Sequence, residues 1–102
     1  MLTHNSSFYC KIVGVTFGNR QVLINNLYVG QKLLLIRDPN NQYDSNAIKV
    51  CIDSTKVLGH IPKETAINLA KAMDIGIRYE AEVSNITGGG SLNYGVNILI
   101  KN

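Results

Sequence analysis

Arg37-Asp38-Pro39-Asn40-Asn41-Gln42-Tyr43-Asp44-Ser45-Asn46-Ala47-Ile48-Lys49-Val50 is the densest stretch of the chain. Its first half is a cluster of turn formers: Pro presets its own φ, and Asp and Asn bond to nearby backbone N–H groups. Its second half changes period. Ile48, Val50 and Ile52 alternate with Lys49 and Cys51, which is the pattern of a half-buried strand. Upstream, Lys32 to Arg37 contains the apolar run Leu33 to Ile36, the composition of a strand buried on both faces. The stretch is therefore a polar loop between two strands. A bare turn needs Asn and Asp but has no use for Tyr43. An aromatic at a loop tip supplies a stacking face for a base, and Asn and Asp side chains bond hydroxyls and base edges.

Beyond this loop, Asp53-Ser54-Thr55 turns the chain and Val57 to Ile61 returns as the partner strand of a hairpin. Pro62 stands where a helix begins, since its missing N–H is not needed there. Ala66, Leu69, Ala70 and Met73 form an apolar stripe at helical spacing, and Gly76 ends the helix. Ile77, Tyr79, Ala81 and Val83 alternate with charged residues as a strand with one wet face. Gly88-Gly89-Gly90 reads as a flexible loop, and Val96, Ile98 and Ile100 mark the last strand. On the N-terminal side, Met1 to Ser7 is polar and expected to fray. Phe8 to Val15 reads as a strand, and Asn19 caps a short helix through Leu27 that Gly30 ends. The sum, about six strands and two short helices, is an α+β domain built as a curled sheet or partly open barrel.

The bulk numbers agree with one domain spanning residues 1–102. A chain of this length with 45% hydrophobic residues buries a core without a metal or a disulfide. The net charge of +3 and pI of about 9.0 allow an anionic partner without demanding one, because the ten basic residues are scattered. Cys10 and Cys51 have no metal-site or framework spacing and read as buried thiols in a reducing compartment. Neither a signal peptide nor a membrane span is present, so the chain is expected to be cytoplasmic.

Catalytic chemistry finds few candidates. His4 falls in the polar start, and His60 ends a strand beside a helix. The motifs H-E-x-x-H and G-x-S-x-G are absent, and Gly88-Gly89-Gly90-Ser91 lacks the Lys-Ser/Thr of a phosphate loop. Asp38 and Asp44 are two carboxylates that more often serve local backbone N–H groups than Mg²⁺. The expectation is a binding module with no cofactor, not an enzyme.

The loop, together with Gly59-His60-Ile61-Pro62-Lys63-Glu64, resembles the HIRAN domain family. That family's pattern is R-D-P-x-N-x-Y-D-x-N-A-I-x-V, followed by G-H/Y-[IL] and a helix. Arg37, Asp38, Pro39, Asn41, Tyr43, Asp44, Asn46, Ala47, Ile48 and Val50 match it, with Gly59, His60 and the first-strand Gly14. The likeness extends over essentially the whole chain. It implies an OB-like barrel that binds single-stranded DNA, with the 3′-hydroxyl end as the recognised feature, working with DNA repair or replication-fork machinery.

By position, the resemblance makes Tyr43 the aromatic that stacks on a terminal base and Asp44 the acceptor for the 3′-hydroxyl, with Asn41 beside them. His60 and Lys63 become phosphate contacts, Phe17 the second stacking aromatic on the opposite wall, and Arg37 a further binding residue. The family's end-binding member has Arg-Tyr-Tyr where this chain has Thr16-Phe17-Gly18, so a basic contact and an aromatic are missing. Arg20 is the candidate to replace the charge, and Leu92 or Tyr94 the candidate to fill the late-loop position where the family has an aromatic. A helicase or nuclease is the implied protein partner. The residues themselves leave plainer roles open: Arg37 and Asp38 as braces of the loop, Asp44 as a brace for the turn, Tyr43 as an apolar lid. Two other functions stay open as well, a protein-interaction module using an open sheet edge and a metal-dependent nuclease using Asp38, Asp44 and His60.

Overall fold

The computed structural model describes residues 6–102; His4 and the start of the polar N-terminus lie outside them. The elements run β1 (Ser7–Lys11), α1 (Arg20–Asn25), β2 (Lys32–Arg37), β3 (Ile48–Asp53), β4 (Lys56–His60), α2 (Lys63–Asp74), β5 (Glu80–Gly89) and β6 (Leu92–Lys101). The strands form one 6-stranded antiparallel sheet in the order β1-β6-β5-β2-β3-β4. This leaves β1 and β4 at its two edges. Just past β1, Val13 and His60 exchange backbone hydrogen bonds of 2.9 Å in both directions. That bridge ties one edge to the other and curls the sheet into a half-barrel. The fold is the expected one, α+β, OB-like and partly open, with two short helices.

Period-2 alternation fills the barrel. Val83, Val96, Ile98 and Ile100 are fully buried from β5 and β6, and Ile48, Val50 and Leu58 from β3 and β4. α2 closes one side with Ala66, Leu69 and Ala70 in the same core cluster. Each large aliphatic chain so buried contributes about 1.5–3 kcal/mol. α1 is too short to hold itself and is pinned by one side chain. Gln21 Nε2 donates to the carbonyls of Val15 (2.9 Å) and Tyr94 (3.1 Å), while its Oε1 accepts the Tyr94 N–H at 2.7 Å. The amide thus takes the place of a strand partner on β6.

Several local expectations are corrected. The first strand stops at Lys11 instead of Val15, because the chain bends there to reach β4. Its start is ordered earlier than the polar composition suggests: Ser7 pairs with Lys101, and Ser6 accepts the Asn102 N–H. Asn19 caps α1 through its carbonyl and not its side chain, and the helix ends at Asn25 with Val22 exposed. β2 is buried on one face only, since Leu33 is buried while Leu34 is 47% exposed. Register shifts in the β3–β4 pair leave Cys51 buried and Ile52 only partly so, against simple alternation.

Gly88-Gly89-Gly90 is a tight hairpin end and not a flexible loop, and β6 begins at Leu92. At Gly88, φ is +82° and an added β-carbon would fall 2.0 Å from the Asn93 carbonyl oxygen, so only glycine fits. No helix among the described residues is long and apolar enough to cross a membrane.

Candidate nucleic-acid interface

The β2–β3 loop is built around Asn41. Its Oδ1 accepts the backbone N–H groups of both Tyr43 (2.9 Å) and Asp44 (3.1 Å), and its Nδ2 donates to Asp38 Oδ2 at 3.2 Å. Asp44 repeats the device one step on, with Oδ1 accepting the Asn46 N–H at 2.9 Å. These bonds replace the strand ladder that the loop lacks. They hold the backbone at Tyr43 while its ring projects outward, 83% exposed. An apolar ring so exposed is no lid on the core.

Asn41, Tyr43, Asp44, His60 and Lys63 line one open cleft of about 270 Å³ together with the apolar Val13, Ala47 and Ile61. The barrel closure makes this cleft, since Val13 and His60 are the bridging pair. Asp44 is among the residues lining it; its Oδ1 serves the turn, and its Oδ2 has no hydrogen bond among the described residues. The brace thus occupies one of the two carboxylate oxygens. Lys63, in the first turn of α2, carries no ion pair among the described residues.

His60 is half-buried, and burial pushes its pKa below the usual imidazole value. The charges of Arg20 and Lys49 push the same way, and Asp38 opposes them. Lys49 is the basic neighbour that the sequence reading missed. It pairs across the hairpin with His60, and counting the hairpin outward from the Asp53–Lys56 pair would have found it, because the two register shifts cancel.

Phe17 and Arg37 stand apart from this cleft. Phe17, 72% exposed, lines a second depression of about 380 Å³ with Arg20, Thr55 and Lys56. The Arg20 guanidinium lies 5.6 Å from the centre of its ring. Arg37 turns its planar fork away from solvent. Nη1 donates to the Ala47 carbonyl (2.7 Å), Nη2 to the Ser45 carbonyl (3.0 Å), and Nε and Nη2 grip the Asp74 carboxylate at 2.9 and 3.2 Å. The pairing raises the Arg37 pKa further and lowers that of Asp74. In this arrangement Arg37 locks the loop to the end of α2. Of the two late-loop candidates, Leu92 is 70% exposed, and Tyr94 packs against the core and donates to Asn25. No group of three or more His, Cys, Asp and Glu side chains converges as a metal site among the described residues.

A family model for the HIRAN domain matches residues 5–101. The chain is similar to a Fanconi-associated nuclease 1 homolog of Arabidopsis thaliana, 30% identical over 76 residues, which are 74% of this chain and 8% of that protein. It is also similar to the human helicase-like transcription factor, 46% identical over 52 residues, or 51% of this chain and 5% of that protein. The chain therefore spans less than a tenth of either relative. The crystal structure of the HIRAN domain of human HLTF shares the fold with a TM-score of 0.74 at 29% identity, covering 94% of this chain and 74% of that one. With the family pattern matched along nearly its whole length and the half-barrel shared with a solved member, the chain belongs to the HIRAN domain family.

Proposed function

We propose that this domain binds single-stranded DNA at a free 3′ end. The observation that carries the reading is the convergence in one cleft of an exposed aromatic (Tyr43), a carboxylate oxygen without a protein partner (Asp44 Oδ2) and two basic groups (His60 and Lys63). A terminal base stacks on Tyr43, a contact of about 1–3 kcal/mol. Its 3′-hydroxyl donates to Asp44 Oδ2, because an ionised carboxylate only accepts hydrogen bonds. Its 5′-phosphate lies against His60 and Lys63, where the first turn of α2 adds favourable N–H groups. Asn41 holds Tyr43 and Asp44 in place, Arg37 locks the loop behind them, and Phe17 offers a second stacking face. Inside a DNA strand the 3′-oxygen is esterified and has no proton to donate, so the same cleft distinguishes an end from an interior position.

The module is a binder and not a catalyst. It works in a reducing compartment, the cytoplasm, where Cys10 and Cys51 remain buried free thiols, and a helicase or nuclease acting in DNA repair or fork processing is its protein partner. Fluorescence anisotropy with 5′-labelled single strands tests the reading. Strands ending in a 3′-hydroxyl bind more tightly than the same strands ending in a 3′-phosphate, which meets like-charge repulsion at Asp44. Asp44→Asn narrows that gap, since the amide removes the charge and adds a donor. Equal wild-type affinity for the two ends would leave general single-strand binding and remove end recognition.

A further inference from the structure

β1 is an edge strand with one row of backbone groups unused. Ile12 donates its N–H to the Val96 carbonyl, and Ser6 accepts the Asn102 N–H, so the even-numbered residues of this segment bond to β6. Direction alternates along a strand, and the N–H and C=O groups of Ser7, Tyr9 and Lys11 therefore point the other way. Val13, the next residue of that row, meets His60 there. Continuing that bridge would set Lys11 against Pro62 and Tyr9 against Glu64, but the chain turns into α2 at this point. Among the described residues, no backbone carbonyl accepts the N–H of Ser7, Tyr9 or Lys11. All three residues are exposed.

A helix thus stands where a strand would continue, and a groove lies between it and β1. Phe8 of β1 and Thr65, Asn68 and Leu69 of α2 line a depression of about 230 Å³. That is several times the roughly 30 Å³ share of a water molecule, and so has room for an aliphatic side chain. Burial raises the pKa of the Cys10 thiol, and the nearby Glu64 carboxylate, earlier on α2, raises it further. Glu64 is itself exposed and enters no ion pair among the described residues. Along this edge, then, an apolar pocket at Phe8 is followed by an unneutralised negative charge at Cys10, one strand period away.

We propose that the β1 edge takes up an extended segment of a partner protein as a seventh strand, antiparallel to β1, carrying a Lys or Arg and a large aliphatic residue two positions later. In that register the basic side chain meets Glu64 and the aliphatic one fills the pocket beside Phe8. The segment's backbone completes the row of Ser7, Tyr9 and Lys11, which supplies affinity, while the two side chains supply specificity. A second copy of this chain is the poorer occupant. Its β1 carries its own α2 along the same edge, and paired strands stand about 4.8 Å apart, closer than the roughly 8–10 Å that packed helices need. A lone extended segment brings no such helix. The groove shares no lining residue with the Tyr43 cleft, so the inference is independent of the end-binding reading.

The probe is the capped pentapeptide Thr-Lys-Thr-Leu-Thr, titrated into the nitrogen-15-labelled domain by nuclear magnetic resonance. The amides of Ser7, Tyr9 and Lys11 shift as it binds and exchange more slowly with solvent. An N-methyl group on the central threonine, whose N–H faces Tyr9, weakens binding about tenfold or more, the cost of a lost and unsatisfied hydrogen bond. The same group on the lysine nitrogen, which faces away from β1, changes little. Glu64→Lys lowers the affinity about two- to fivefold, the range of an exposed ion pair, and a glutamate in place of the peptide's lysine restores it. Tyr9→Pro removes the outward N–H at a position where an edge strand tolerates proline, and it abolishes binding, with a thermal melt to report on the fold. The methylated peptides decide the question on the wild-type domain even where the proline variant is unfolded. Equal affinity for the two methylated peptides would overturn strand addition. So would a domain whose three amides neither shift nor gain protection at millimolar peptide. Protection of the same amides that grows with protein concentration in the absence of peptide, together with a dimer in sedimentation, would give the edge to a second copy and overturn the partner segment.

Discussion

Tyr43 shows how much of a candidate binding site is set by a neighbour's side chain. Its ring makes no use of the core, and its position comes from Asn41 Oδ1, which holds two successive N–H groups of the loop. Tyr43→Ala therefore weakens single-strand binding by about ten- to a hundredfold and leaves the melting temperature unchanged. Anisotropy and a thermal melt on the same samples check both halves, and wild-type affinity at an unchanged melting point would remove the stacking role. His60 carries a second prediction, in which pH acts with opposite signs on folding and on binding. Its pKa in the folded protein lies below the usual value, held down first by burial and then by Arg20 and Lys49. As pH falls through about 6.5, the unfolded chain takes up the proton first, so the domain loses stability until the lower folded value is passed. A phosphate beside the imidazole raises its pKa, so binding takes up a proton and affinity grows over the same interval. Melts and titrations from pH 8 to pH 5.5 should show these opposite trends, and His60→Gln should flatten both. Parallel trends would exclude a phosphate contact at His60.

At the scale of elements, the site depends on an edge-to-edge contact between two pieces of chain that are distant in sequence. Residues 12 and 13 pack against β4 so closely that a β-carbon on Gly59 would lie 2.5 Å from the Val13 carbonyl oxygen and 3.2 Å from Ile12 Cδ1. Gly59→Ala must push these elements apart. The expected cost is about 1–3 kcal/mol of stability, as for other overpacked interiors, and the Val13–His60 bridge is the contact that yields. Denaturant melts measure the first effect. Hydrogen exchange at the His60 amide, protected in the wild type by its bond to Val13, measures the second. Unchanged protection and stability would mean that the bridge does not govern the closure. The same contact explains why α1 matters to the site despite its length: Gln21 fastens it to β6 and Val15, which places Arg20 over Phe17.

At the scale of the whole molecule, ion pairs engage four of the ten basic side chains. The net charge is only +3, yet Lys32 and Lys101 share Glu82, Lys56 pairs with Asp53, and Arg37 with Asp74. Asp53 accepts from the Thr55 N–H and hydroxyl and from Lys56, and these bonds lower its pKa to about 2. Six enter no such pair among the described residues, Lys11, Lys71 and Arg78 as well as Arg20, Lys49 and Lys63, and the last three lie near His60 at the barrel closure. The phosphate held at His60 and Lys63 should add about 0.7 to the slope with which affinity falls against log salt, and Lys63→Ala should lower the slope by about that amount. Titrations over a range of salt concentrations read it directly, and a wild-type slope near zero would mean that no phosphate is engaged.

What the chain states locally was legible in its letters. Turn chemistry marked the 38–46 loop, alternation marked β3, β5 and β6, and an apolar stripe between Pro62 and Gly76 marked α2, because each of these patterns is set within a few residues. The family pattern named Asn41, Tyr43, Asp44, His60 and Lys63, which line one cleft in the structure. Periodicity reports that a face is apolar, but not which element covers it. For that reason Leu33 to Ile36 read as buried on both faces, although Leu34 is open. Only the tertiary structure decided where the Arg37 fork points, because its partners Ala47, Ser45 and Asp74 come from a loop and a helix end that folding brings together. It also separated Phe17 from the Tyr43 cleft and placed Arg20 between them. The closure of Val13 onto His60 is likewise a contact between residues far apart in the chain, which no local period encodes.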